Sequence, residues 1–265
     1  MTDAQQAKQQ AEQTVSKAGD HPVVEWGARL GYAANGIVHL LLGWLAIQLA
    51  LGSSSESADQ SGAFGMLADN TLGKVLLIVA VVGFALLAIW QLTEAIRGPE
   101  LTDRLKAGGK FIAYLAVGWS ALGFVRASGS SSGDQTKDFT QKLMEAPGGV
   151  VLVVVVGLGV LGIGGYHIYK GWKRKFREDL RENPGEGIEK LAMFGYIAKG
   201  VALMVVGGLF IAAALDHDPE KARGLDGALK ALLSAPGGQI LLIVVGLGLA
   251  AYGLYAFARA KYAKV

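Results

Sequence analysis

Six long apolar runs, nearly free of charge, divide the chain: Leu30–Leu51, Leu72–Leu92, Phe111–Ala127, Pro147–Tyr169, Leu191–Leu215 and Pro236–Ala258. A helix needs about 20 apolar residues to cross the hydrocarbon core of a bilayer. Each run therefore predicts a transmembrane helix. The stretch from Ala146 to Tyr169 contains no Asp, Glu, Lys or Arg at all. The third run is the shortest, and Lys110 and Arg126 at its margins are long enough to snorkel toward headgroups. Ahead of the first run, Val23, Trp26 and Leu30 share one helical face. That spacing predicts a short helix lying in the interface.

The pattern repeats three times. Leu30-Gly31-Tyr32-Ala33-Ala34-Asn35-Gly36-Ile37 returns as Phe194-Gly195-Tyr196-Ile197-Ala198-Lys199-Gly200-Val201. A weaker copy between them sets Gly118-Trp119 under Gly43-Trp44, and Lys110 under Asn35. The even-numbered runs repeat too: Ala146-Pro147-Gly148-Gly149 matches Ala235-Pro236-Gly237-Gly238, and Gly83, Gly159 and Gly248 share one register. A common register over two helices argues for a duplicated unit. The fold class predicted is all-α and polytopic, with six transmembrane helices as three tandem hairpins under pseudo-threefold symmetry. The division expected is a cytoplasmic tail over 1–21, then units at 22–98, 99–182 and 183–265.

Charge sets the expected orientation. Of the 25 basic residues, 17 fall beside the termini and in the second and fourth connections, and 7 on the other face. By the positive-inside rule both termini are expected in the cytoplasm. The net charge of +3 then reads as topology, and no nucleic-acid partner is expected. The first 20 residues lack the apolar core of a signal peptide. Composition agrees: 52% of residues are hydrophobic, only 18% are charged, and 38 are glycine. No cysteine is present, which excludes disulfides, cysteine-ligated metal and thiol catalysis.

Glycine at this frequency suits close helix packing, which in lipid substitutes for a hydrophobic driving force. Gly27-x-x-x-Gly31, Gly208-x-x-x-Ala212 and Gly246-x-x-x-Ala250 have the spacing for it. Packing within one chain is the plainer expectation, and a homo-oligomer or another membrane protein the sharper one.

Polar residues inside spans are the candidate functional groups. Tyr32, Asn35 and His39 lie on one face of the first helix. Tyr196 and Lys199 take the matching positions in the fifth, and Lys110 in the third. A ring of Asn35, Lys110 and Lys199 near the cytoplasmic ends would suit an anion or a lipid phosphate. Snorkelling and interhelical hydrogen bonds are the plainer account. His39 and His167 are not repeat-equivalent, so no haem or other cofactor is expected, and no metal. Glu94, Lys170 and Arg259 occupy equivalent positions that look like boundary residues. The basic stretch Lys170–Arg181, with Trp172 and Phe176 interleaved, suits anionic headgroups through Lys173, Arg174, Lys175 and Arg177. The serines of 53–57 and 128–133 read as flexible loops, and His217, between two aspartates, as a solvated turn. No catalytic set emerges, so the chain is not expected to be an enzyme.

The segment Ala28-Arg29-Leu30-Gly31-Tyr32-Ala33-Ala34-Asn35-Gly36-Ile37-Val38-His39, with its echo at Phe194, resembles the DUF1206 family of bacterial membrane proteins. The resemblance spans about Trp26 to Lys261. The second unit departs from it, with Ala107-Gly108-Gly109-Lys110-Phe111 where the tyrosine and second glycine should stand. The resemblance implies three two-helix units in a membrane and supplies no catalytic residue. The expected role is a non-enzymatic packing or scaffold component of a membrane assembly; a small channel or transporter is the alternative.

Overall fold

The computed structural model describes residues 22–53, 56–97 and 100–263, with side chains from Trp26 onward. The expected tail over 1–21 lies outside the described residues, as do Ser54 and Ser55. Among the described residues the chain is helical without a named strand. Six long helices match the six apolar runs: α1 (Pro22–Ala50), α3 (Thr71–Arg97), α4 (Leu101–Val125), α6 (Gly149–Trp172), α7 (Glu186–Asp216) and α9 (Gly238–Tyr262). All six are long and apolar enough to cross a membrane. The interfacial helix expected at Val23–Leu30 is instead the first turns of α1, which runs unbroken from Pro22.

Each unit also holds a short helix between its two long ones: α2 (Gln60–Ala68), α5 (Ser132–Glu145) and α8 (Gly224–Ser234). The serine stretches expected as loops precede the first two: the described residues of 53–57 and residues 128–131 are not helical, and α5 takes in only Ser132 and Gly133. The ends of the short helices are built by polar side chains. Asp59 accepts hydrogen bonds from the amides of Ser61 and Gly62, and Ser131 from that of Asp134. The three short helices form a cap over one end of the bundle, clasped by links between units. Ala58 N–H donates to Asp226 at 2.9 Å, Ser132 N–H to Ser61 Oγ at 3.0 Å, and Arg223 pairs with Asp134 at 3.3 Å. His217 sits in a left-handed turn, and Asp218 caps the 3-10 turn that follows.

The passage from cap to long helix requires glycine. A Cβ on Gly73 would stand 2.0 Å from the Leu67 carbonyl oxygen, one on Gly149 1.6 Å from that of Leu143, and one on Gly238 2.1 Å from that of Leu233. These are equivalent corners in the three units. Gly148 and Gly237 precede two of them with φ of 74° and 70°, a region open chiefly to glycine. In the first unit Asn70 Oδ1 accepts from Gly73 N–H instead.

The long helices pack antiparallel in the spatial order α4–α3–α1–α9–α7–α6. Two seams between units are glycine pairs. Gly36 faces Gly253 and Gly43 faces Gly246 between α1 and α9; Gly200 faces Gly164 and Gly207 faces Gly157 between α7 and α6. They superimpose under the repeat. The third seam, α3 with α4, has Phe111 and Gly118 in the matching places, and Gly118 meets Phe84. Of the spacing motifs, Gly246 lies in a seam and Gly27 and Gly31 at the contact of α1 with α3 inside the first unit, whereas Gly208 has open space around it and Gly207 beside it makes the contact.

The second unit departs from its neighbours. Gly31 lets α1 cross α3 against Gly83, and Gly195 lets α7 cross α9 against Tyr252. The repeat places Lys106 at that position in α4, 60% exposed and paired with Asp103. A lysine cannot sit at a close helix crossing, and α4 and α6 do not pack on each other. Gly159, Gly162 and Gly165 on α6, and Gly108 and Gly109 on α4, would each give a Cβ open space.

Candidate functional site

The two halves of the bundle have different interiors. Toward the cap it is solid hydrocarbon, with Val38, Leu42, Leu45, Leu77, Leu229, Leu242 and Leu249 almost fully buried. Toward the opposite, basal end, where α1, α4 and α7 begin, aromatic and charged side chains converge. Tyr32, Tyr196, Tyr252, Tyr255 and Phe176 are buried there.

Two linked polar groups lie among these rings. In the first, His39 Nδ1 is 2.9 Å from the Asn35 carbonyl, which can only accept, so Nδ1 carries the proton. Nε2 is then an acceptor, and the Lys199 ammonium donates to it at 3.1 Å. Lys199 also lies over the Tyr252 ring, 4.2 Å from its centre. This arrangement holds a lysine inside the bundle by one imidazole lone pair and one aromatic face. His167 makes a parallel bond to the Ile163 carbonyl at 2.8 Å and lies beside Tyr196.

In the second group, Lys170 of α6 pairs with Asp179 at 2.7 Å. Arg259 of α9 stands 3.9 Å from the same oxygen and stacks over the Tyr32 ring at 4.4 Å. It also donates to the Tyr32 hydroxyl at 3.3 Å. The Arg259 Nε is buried with no protein acceptor. Lys110 of α4 is exposed, one helical turn before Tyr114, which packs against the cluster that holds Tyr32. Asp179 itself lies outside the spans. Burial alone would raise its pKa, but Arg259 and Lys170 outweigh that and hold the carboxyl below its ordinary value.

Asp179 is placed there by a turn that hydropathy does not reveal. After α6 the chain folds back beneath the bundle as a 3-10 turn, Lys175–Asp179. Phe176, read as interfacial from its basic surroundings, is instead fully buried and stacks on Tyr196 with rings 5.7 Å apart. Arg181 N–H then donates to the Tyr262 carbonyl at 2.7 Å, tying the segment to α9. Buried Glu189 pairs with Arg177 and lies 3.7 Å from Arg174. Two of the four candidate headgroup contacts thus share their charge with a carboxylate. Lys173 is exposed, and Lys175 lies over the Tyr169 ring.

The expected polar residues are therefore divided between the two groups. His39 and Lys199 meet, Tyr196 lies between them and Lys170, and Tyr32 holds Arg259. Lys110 is exposed on α4, and Asn35 contributes its backbone carbonyl. Lys170 and Arg259 are more than boundary residues: they converge on one carboxylate from equivalent positions. Their shared register was the signal available in sequence. Tyr255 shared such a register with Trp90 and Tyr166, whereas Tyr252 and Asp179 carried none.

Six apolar helices in three tandem units, each capped by a short helix, define a multi-pass α-helical protein of membrane type. The Domain of Unknown Function (DUF1206) matches three successive segments, 30–98, 105–174 and 194–263, and the chain belongs to that family. It is 29% identical over 261 residues to the uncharacterized protein YxxB of Bacillus subtilis (strain 168), covering 91% of this chain and 92% of that one. No solved structure matches.

Proposed function

We propose that the protein is a non-enzymatic packing or scaffold component of the bacterial cytoplasmic membrane, with both termini in the cytoplasm. The observation that carries this reading is the spread second unit. Its spans α4 and α6 leave each other's faces bare, with Ile112 and Trp119 on α4 exposed at 67% and 74%. In lipid, bare glycine positions admit the backbone of a neighbouring helix. The partner would be a helix of another membrane protein or of a second copy. Lys173, Arg174, Lys175 and Arg177 would hold the assembly against anionic headgroups. Purification in mild detergent, with photocrosslinkers at Ile112 and Trp119, is expected to yield one complex of fixed stoichiometry. A lone monomer that passes solute in liposomes overturns the reading.

That last outcome would favour a second reading, a small channel or transporter for an ion or small solute. The polar groups at the basal end speak for it. The close-packed leucines toward the cap speak against an open path.

A further inference from the structure

The Arg259 group is unbalanced in charge. Arg259 of α9 and Lys170 of α6 bring two cations, and Lys110 of α4 adds a third at the margin, one turn before Tyr114 of the Tyr32 cluster. Asp179 is the one carboxylate paired with Lys170 and Arg259 among the described residues, and Glu94 is exposed on α3. Asp179 is also unevenly shared. Its Oδ2 is 2.7 Å from Lys170 and 3.9 Å from Arg259, too far for a hydrogen bond to the latter.

The guanidinium is therefore poorly served for its burial. It carries five N–H donors in a planar fork. One reaches the Tyr32 hydroxyl at 3.3 Å, and the buried Nε reaches no protein acceptor. The Arg259 side chain is only 14% exposed, so most of its hydration is gone. A buried cation with unmatched donors is costly unless an acceptor of opposite charge meets it.

Geometry also supplies an approach. Lys110 and Lys170 stand on α4 and α6, the two long helices that do not close on each other. Lys110 is exposed and sits one helical turn before Tyr114, which packs against the cluster that holds Tyr32, so it stands at the margin of the group. Tyr32 forms the opposite wall, beneath the guanidinium.

We infer that Arg259, Lys170 and Lys110 form a binding site for a phosphate-type oxyanion, reached through the opening between α4 and α6. The guanidinium fork takes two oxygens, and the two ammonium groups supply point charges on either side. Asp179 positions Lys170 and keeps the empty site from carrying three uncompensated charges. The same chemistry fits the headgroup of an anionic lipid entering sideways or a free phosphate entering from the end. The site is separate from Lys173 and Lys175, and it does not depend on the scaffold reading.

The full-length protein, purified in neutral detergent, is titrated with inorganic phosphate and followed by its melting midpoint. In parallel it is placed in nanodiscs of phosphatidylcholine with and without phosphatidylglycerol, and retained lipid is counted by native mass spectrometry. A rise in midpoint with phosphate identifies the free anion; selective retention of phosphatidylglycerol identifies the headgroup. Arg259→Gln is expected to abolish either. Since that variant changes a buried residue, Lys110→Gln, at an exposed position, is the decisive one. It should fold normally and weaken binding about tenfold, the effect of one lost charge-assisted contact. A Lys173→Gln/Lys175→Gln control should bind as the native chain does. The inference is overturned if neither probe binds, if Lys110→Gln binds unchanged, or if only the control loses binding.

Discussion

The second and third repeat units start from one pattern and reach opposite arrangements. In the third, α7 and α9 cross closely at Gly195 and Gly248, with tyrosines and Lys199 enclosed between them. In the second, Lys106 stands in place of the crossing glycine, and α4 and α6 stay apart. Gly159 and Gly248 share a repeat register, yet a Cβ on the first would meet open space and one on the second would stand 2.1 Å from the Ala198 methyl. Glycine in a membrane helix thus marks an opportunity for contact. Whether contact follows is decided by the opposing residue.

The largest expected effect is at the corners both units share. Gly149→Val and Gly238→Val each drive a side chain into a backbone carbonyl, and both should abolish the folded protein in a detergent melting assay. Equal loss would show that the two units share the corner and differ only along the spans. The comparison itself is tested by the matched pair Gly248→Ala and Gly159→Ala. The first should cost about 1–3 kcal/mol through overpacking. The second should be neutral or stabilising by about 0.5–1 kcal/mol, since alanine favours a helix. Equal destabilisation would mean that α4 and α6 close in the membrane.

Asp179→Asn is the third test. It leaves Lys170 and Arg259 facing one another without their carboxylate and should cost about 1.5–3 kcal/mol. The smallest effect is the pH dependence of the same group. The folded pKa of Asp179 is held below its ordinary value by Arg259 and Lys170. Its contribution is therefore complete above about pH 4 and is lost as pH falls through the folded value. The gap in melting midpoint between native chain and Asp179→Asn should narrow on acidification below that point. A gap that stays constant would remove Asp179 from the account.

The six spans and their threefold register were legible because both depend on local composition: long apolar runs and repeated glycines. The cap helices were not. Ser132–Glu145 has no apolar run, and its stability comes from the Ser131 cap and from the links to Ser61 and Arg223. Phe176 was hidden in a basic stretch, since hydropathy averages over the one residue that turns inward. The spread of the second unit was half legible. Its departure at Ala107–Phe111 was visible, but apolar faces toward lipid and toward protein read alike. Of the candidate site, the residues on α1 and α7 were found by their shared face, whereas Asp179 reaches it through a chain reversal that no periodicity encodes.

The order α4–α3–α1–α9–α7–α6 sets the timing of assembly. The first long helix made has its glycine seam with the last, and the Tyr32–Arg259 contact joins residues 227 positions apart. At roughly 5–20 residues per second of synthesis, α1 waits on the order of 10–50 s before its partner emerges. During that interval His39 and the glycine face of α1 have no native cover from α9. Completion of this protein is thus a late docking step rather than a stepwise stacking of finished units. A chain stopped before Gly238 should persist as a substrate for membrane quality control.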